Sequence, residues 1–210
     1  MPASERDDAV KRALDVAVSA VGLVVTLPVQ LAIAVALWAV QGRPVLFRQP
    51  RPGLHGEVFE LVKFRTMREP DATYVTDAER LTRVGRFLRS TSLDELPTLW
   101  NVLRGEMSLV GPRPLLVEYL PRYSPEQARR HDVRPGVTGL AQVSGRNGLS
   151  WDEKLALDVQ YVDRRSLGLD LSILLRTVAA VASRRGITQD GHATMQPFQG
   201  SGARTVADHD

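Results

Sequence analysis

The chain has 210 residues, 43% of them hydrophobic and 24% charged, which suits one domain with a real core and is too short for two comfortable ones. Its formal charge is +3 and its pI about 9.6, a mild basicity that favours anionic partners (nucleic acid, phosphorylated small molecules or anionic lipid) without choosing among them. There is no cysteine, so disulfides, thiolate nucleophiles and cysteine-based zinc sites are excluded. The histidines at 55, 131, 192 and 209 include no pair at helical spacing, and there is no P-loop, G-x-G-x-x-G or G-x-S-x-G.

The first element is the apolar run "ALDVAVSAVGLVVTLPVQLAIAVALWAV" at 13–40. It is too long for a signal peptide and lacks a small-residue cleavage site. A straight helix over Val16 to Val40 would reach roughly 37 Å, enough to span a bilayer core. Pro28 near its middle argues for a break, since proline removes a backbone hydrogen bond. Positive charge stands at both ends, Lys11 and Arg12 before the run and Arg43, Arg48 and Arg51 after it, and positive charge favours the cytoplasmic side. A re-entrant helix–break–helix satisfies both ends. The alternatives are a single span and a buried core helix. Thr26 and Gln30 are placed to partner backbone groups freed at Pro28.

Two short strands follow at about 45–49 and 58–64, separated by Pro50, Pro52, Gly53 and Gly56. Residues 77–89 read as one amphipathic helix, with Leu81, Val84, Phe87 and Leu88 on one side and arginines at 80, 83, 86 and 89. Such a basic helix suits an anionic membrane surface, or serves as a solvated face on a core helix. A second helix is expected from Pro97 to a stop at Gly105. Residues 106–149 carry turn signals and suggest loops around a site. Ser150 and Glu153 form a capping box for a helix over about 151–165. An amphipathic helix over about 170–185 follows, with Gly186 as its stop. The polar, glycine-rich residues 189–210 are expected to be a disordered tail.

The chemistry-bearing stretch is "TSLDELPTLWNVLRGEMSLVGPRP", 91–114, in which Asp94 and Glu95 stand side by side. Ser92 and Glu95 match S-x-x-E, so a helix cap accounts for the acids locally. Arg89, Arg113 and Arg146, each near a turn, point instead to phosphate, which arginine binds bidentately. Paired acids among arginines suit Mg²⁺ plus phosphate, and a carboxylate can itself attack phosphorus. Three other readings are weaker. Nucleic-acid binding would want stacking aromatics, and only 6% of the residues are aromatic. A glycosidase needs carboxylates on two sides of a bond. A lipid-anchored scaffold would show no metal-dependent turnover.

Several long stretches occur in a telling order: "KRALDV" (11–16), "GRPVLFRQPRPGLHGEVFELVKFRTM" (42–67), "RVGRFLRSTSLDELPTLWNVLRGEMSLVGPRPL" (83–115), "RPGVTGLAQVSGRN" (134–147) and "LDVQYVDRRSLGLDLSILLRT" (157–177). With these motifs the chain resembles the bacterial sugar transferases that act on polyprenyl phosphate, the monotopic phosphoglycosyl transferases, over residues 11–188. The resemblance implies a mainly α fold with a small β-hairpin, a re-entrant membrane hairpin at about 13–40, and interfacial amphipathic helices around a loop-rich catalytic part at 42–188. It implies transfer of sugar 1-phosphate from a UDP-sugar to undecaprenyl phosphate, with release of UMP and a need for Mg²⁺. In that pattern Asp94 matches the nucleophile, and Glu95 matches the acid that binds Mg²⁺ or activates the acceptor. Arg89, Arg113 and Arg146 match the phosphate-binding arginines. Lys63, Arg65, Asp158 and Tyr161 are supporting candidates, for each of which a salt bridge inside the fold is an equal reading. The family's break falls at Ser-Pro, where this chain has Leu27-Pro28. The resemblance further implies the inner membrane with the catalytic part on its cytoplasmic face, membrane lipid and downstream glycosyltransferases as partners, no nucleic acid, and a minimal catalytic form.

Overall fold

The structure is a computed structural model of the chain, in which residues 5–69, 76–145, 148–182 and 197–200 are described. Helix α1 runs from Glu5 to Gln41 with Pro28 inside it. The expected break into two short helices is not present as an interruption. Proline withholds one amide, the one that would face the Val24 carbonyl. The neighbouring turns are braced by side chains: Thr26 Oγ1 donates to the Gly22 carbonyl at 2.6 Å, and Gln30 Nε2 donates to Thr26 Oγ1 at 2.9 Å. By length and composition α1 can cross a membrane.

Strands β1 (Leu46–Pro52) and β2 (Val58–Phe64) form an antiparallel hairpin with Leu46 opposite Phe64 and Pro52 opposite Val58. The expected helix over 77–89 is two helices, α2 (Asp77–Arg80) and α3 (Arg83–Thr91). Thr76 and Thr82 each cap one of them, and between them Leu81 is extended and bridges to Met67. A threonine hydroxyl that accepts the Gly85 amide at 2.9 Å starts a new helix more readily than it continues the old one. The arginine row is therefore not one face: Arg80 turns to the Arg68 carbonyl and Asp77, and Arg89 turns to Thr66 and Met67.

A 3-10 segment, Leu93–Thr98, leads into α4 (Leu99–Arg104), which ends at Gly105 with φ 87°, the left-handed stop expected there. Within the region expected to be loops, β3 (Ser108–Val110) pairs in parallel with β4 (Gly136–Thr138). Short helices α5 (Pro125–Ala128) and α6 (Leu140–Ser144) flank β4. Helix α7 (Trp151–Arg164) starts at the expected capping box, with Ser150 Oγ accepting the Glu153 amide at 3.3 Å and Glu153 accepting the Ser150 amide at 2.8 Å. Helix α8 (Leu167–Ala182) starts earlier than expected. Most of the expected tail, 189–196 and 201–210, lies outside the described residues. Within it, Phe198 is buried at 2% exposure.

One stripe of α1 is fastened to this body at both ends. Near its start, Arg12 donates to the Val102 and Leu103 carbonyls at 2.7 and 2.9 Å, and Asp15 accepts the Leu109 amide at 3.0 Å. Near its end, Ile33 and Leu37 pack with Phe64 and Leu88, and Arg65 donates to the Gln41 and Gly42 carbonyls at 2.6 and 2.9 Å. The opposite stripe, including Val18, Val21, Val25, Val35 and Trp38, is exposed and apolar. On α8, Leu171, Leu175 and Val178 are likewise exposed.

Gly85 brings α3 against the chain at Thr66: a Cβ there would lie 1.9 Å from the Thr66 carbonyl oxygen. Gly85→Ala should therefore push α3 off Thr66 and lower the melting temperature in detergent. An unchanged melting temperature would show that this contact is not held in solution.

Candidate active site

Asp94 lies in the 3-10 segment immediately after α3, whose last residue is followed by Ser92 in the left-handed region at φ 56°. That reversal separates Ser92 from the capping role. Its side chain makes no cap hydrogen bond, and Glu95 reaches away to Arg113, whose Nη2 is 2.7 Å from Glu95 Oε1. The local S-x-x-E pattern is thus present in sequence without forming a capping box.

The 3-10 segment is clamped to β2. Thr98 Oγ1 donates to the Val62 carbonyl at 3.0 Å, and Asn101 accepts the Val62 amide at 3.0 Å while donating to the Glu60 carbonyl at 2.7 Å. This clamp brings Lys63 close to the acids. Asn101 is 1% exposed and had no signal in the sequence beyond an amide in an apolar helix. On the other side, β3 and β4 set the Gly111–Pro112–Arg113 turn. The Gly111 amide donates to the Thr138 carbonyl at 2.9 Å, and the Gly136 amide donates to the Pro112 carbonyl at 3.0 Å.

Asp94 is 6% exposed and has no hydrogen bond or ion pair among the described residues. Its carboxyl is pushed above the usual range, first by burial and then by Glu95, while Lys63, Arg89 and Arg113 pull it back. Burial and then Arg113 lower the Lys63 ammonium to about 8. The Lys63 Nζ sits 5.4 Å over the Phe47 ring. Glu95 holds Arg113 above the ordinary guanidinium range. The Arg113 side chain is 51% exposed, so the pair contributes little stability and leaves a cation facing solvent.

Arg51 joins this group without having been a site candidate. Burial and then the Arg113 charge lower it to about 10, its Nη1 donates to the Pro114 carbonyl at 3.3 Å, and its buried Nε has no partner. The sequence marked it only as one of several basic residues after α1.

The other candidates serve the frame. Arg65 ties the end of α1 to β2, with Gln41 Nε2 donating back to the Arg65 carbonyl. The Tyr161 hydroxyl lies 2.7 Å from a carboxylate oxygen of Asp170 and 3.1 Å from the Val110 carbonyl, with one proton to donate between them, and burial drives its phenol far up. Asp158 is buried against Arg130, whose Nη2 lies 2.7 Å from it and donates to the Arg113 carbonyl at 2.6 Å. Asp158 thus touches the site only through Arg130. Arg146 lies outside the described residues. Among those described, no three histidine, aspartate or glutamate side chains gather as a metal cage. Asp94 and Glu95 still supply hard oxygen ligands side by side, which is enough for an ion that takes one or two carboxylates and completes its shell with phosphate and water.

The sequence profile of the family described as bacterial sugar transferase matches residues 6–184. The chain belongs to that family. This sugar transferase is 56% identical over 164 residues to an uncharacterized sugar transferase, EpsL, of Bacillus subtilis (strain 168), a match covering 77% of this chain and 81% of that one. It is 45% identical over 184 residues to a UDP-glucose:undecaprenyl-phosphate glucose-1-phosphate transferase of Caulobacter vibrioides, covering 81% and 69%. It is 37% identical over 199 residues to an undecaprenyl-phosphate galactose phosphotransferase of Salmonella typhimurium, covering 84% of this sugar transferase and 41% of that protein. The resemblance read from the motifs is therefore shown, and this sugar transferase is an enzyme of the phosphoglycosyl transferase kind.

Proposed function

We propose that the chain transfers sugar 1-phosphate from a UDP-sugar to undecaprenyl phosphate through a covalent intermediate on Asp94. The observation that carries this is a buried carboxylate without a protein partner among the described residues, ringed by Lys63, Arg89 and Arg113. Buried acids that serve structure are hydrogen-bonded, as Asp158 is here.

In this reading an Asp94 oxygen attacks the sugar-bearing phosphorus. The bond from that phosphorus to the bridging oxygen breaks, and UMP leaves with the oxygen and its electron pair. An oxygen of undecaprenyl phosphate then attacks the same phosphorus and expels the carboxylate. Arg113, Lys63 and Arg89 hold the phosphoryl oxygens, and Glu95 orients Arg113. Glu95 and Asp94 would hold Mg²⁺, which when bound supplies charge neutralisation to the phosphate oxygens. The product is an undecaprenyl-diphosphate sugar, the starting point for later glycosyltransferases in exopolysaccharide or related glycan assembly.

A polyprenyl acceptor requires a site at the membrane surface, and α1 and α8 supply exposed apolar stripes for it. We place the catalytic part on the cytoplasmic face of the inner membrane and take α1 as re-entrant. Both of its ends are held by the same body, at Arg12 and at Gln41, and both are flanked by basic residues. Cysteine labels placed before Lys11 and after Arg43 should react from the same side; reaction from opposite sides would establish a span.

UMP release by protein in nanodiscs, given undecaprenyl phosphate, Mg²⁺ and a panel of UDP-sugars, tests the reaction. Release with one donor, lost on chelation, is expected; silence across the panel from folded protein would overturn the reading. The kcat/KM profile should be bell-shaped. Its acid limb should report ionisation of Asp94, whose carboxyl is raised by burial and Glu95 in the metal-free protein and would be lowered again by bound Mg²⁺. Its basic limb should lie near 8, as Lys63 loses its proton, and Lys63→Arg should move that limb upward.

A further inference from the structure

Three aromatic residues line a nest beside the arginine turn: Tyr119, Tyr123 and Trp151. The ring that fills it comes from the C-terminal segment. Phe198 stacks on Tyr123 at 5.6 Å and 25°, meets Tyr119 edge-on at 5.7 Å, and lies 5.4 Å from Trp151. Arg122 Nη1 donates to the Phe198 carbonyl, so backbone as well as ring is held.

The nest is joined to the active site by a continuous set of contacts. The Arg130 guanidinium lies 5.6 Å over the Tyr123 ring, and its Nη1 donates to the Tyr123 hydroxyl at 3.3 Å. Its Nη2 donates to the Arg113 carbonyl at 2.6 Å. Arg113 in turn is bonded to Glu95, beside Asp94. Tyr123 is thus in contact with both Phe198 and Arg130.

We propose that Phe198 is a positioning residue for the phosphate-binding arginine: docked in the nest, it fixes Tyr123, and through Arg130 it fixes the Arg113 turn. The proposal rests on the reading of Arg113 as a phosphate ligand. Phe198 does not approach the reacting atoms, and its effect on turnover passes through Arg113. A ring that only filled space would stabilise the fold without any dependence on Arg113.

The test uses the full chain in nanodiscs, with two measurements. Hydrogen exchange is followed at the Gly111 and Gly136 amides, whose bonds bracket Arg113. UMP release is followed with the donor that the wild type turns over. Phe198→Ala should speed exchange at both amides and lower kcat by about tenfold, the order expected for a slightly misplaced catalytic group. Phe198→Leu should recover most of the loss. In an Arg113→Lys background, Phe198→Ala should cause little further loss. Tyr123→Phe keeps the stack and removes the hydroxyl contact to Arg130; it should lower kcat with little change in melting temperature, and it serves if Phe198→Ala folds poorly. Normal turnover in both variants, or losses that multiply fully with Arg113→Lys, would overturn the proposal. If the wild type releases no UMP from any donor, the proposed reaction fails, and hydrogen exchange alone decides whether Phe198 holds the Arg113 turn.

Discussion

Asp94→Asn should reduce UMP release by more than about 10³-fold while raising the melting temperature at pH 7. The first effect follows from replacing the nucleophilic carboxylate that forms the intermediate with a neutral, non-nucleophilic amide. The second follows from linkage. Burial and Glu95 together raise the folded pKa of Asp94, and Lys63, Arg89 and Arg113 offset this only in part. A carboxyl raised in the fold stabilises it below the unfolded pKa, and that contribution is lost as pH rises through the folded pKa. The wild type loses it progressively as pH rises above the unfolded pKa, whereas the neutral asparagine carries no such penalty. The difference in melting temperature should therefore shrink as pH falls toward about 4, where unfolded aspartate takes up its proton. A helix-capping aspartate would behave oppositely, because its ionised form would be stabilising. A variant less stable at pH 7 and still active would return Asp94 to that role. Gained stability with lost turnover is the signature of a group kept for chemistry.

The second large effect is expected at the Asp158–Arg130 pair, whose side chains are 5% and 1% exposed. Asp158→Ala leaves the guanidinium buried without its counter-charge and should cost about 3–5 kcal/mol of stability, read from denaturant unfolding. The pair is nonetheless no net stabiliser by necessity. Burial raises the Asp158 carboxyl more than Arg130 lowers it, which marks desolvation as the larger effect. Replacing both at once, Arg130→Met with Asp158→Leu, should restore most of the stability, as apolar replacements of buried pairs do. It should not restore turnover, because the hydrogen bond to the Arg113 carbonyl is gone. Full turnover in the double variant would show that Arg130 does not hold Arg113 in place. Together the single and double variants separate a frame residue from a catalytic one, a distinction that the sequence left open for Asp158.

Signals contained within about one helical turn were legible. Ser150 and Glu153 cap α7 as their spacing implied, and Gly105 ends α4 in the left-handed region. Strand β2 lies where expected, but β1 runs on through Pro50 to Pro52 instead of ending at 49, so the prolines sit inside the strand and only Gly53 and Gly56 mark the link. Where two local signals compete, the sequence reading failed. Residues 77–89 carry helical periodicity throughout, but Thr82 is a cap inside it, and the bridge from Leu81 to Met67 rewards the break. The strands β3 and β4 were invisible, because three residues carry no periodicity and their pairing joins segments far apart in the chain. Phe198 was read as part of a polar tail because composition averages over a segment, whereas one ring in an aromatic nest is a single contact site.

The sequence by itself determined the family, the apolar first helix, the absence of thiol chemistry and the pairing of Asp94 with Glu95. Each of these is a property of residue identity or of neighbours in the chain. The tertiary structure decided which cations attend the acids. It brought Lys63 from the hairpin and Arg113 from the turn between β3 and the loop beyond it, added Arg51, and gave Arg65, Asp158 and Tyr161 to the frame. It also decided that the Ser92–Glu95 pattern forms no cap, since Ser92 turns left-handed and Arg113, 18 residues away, takes the glutamate. Charge pairing and desolvation act across space, so their outcome is set only when distant elements are packed together.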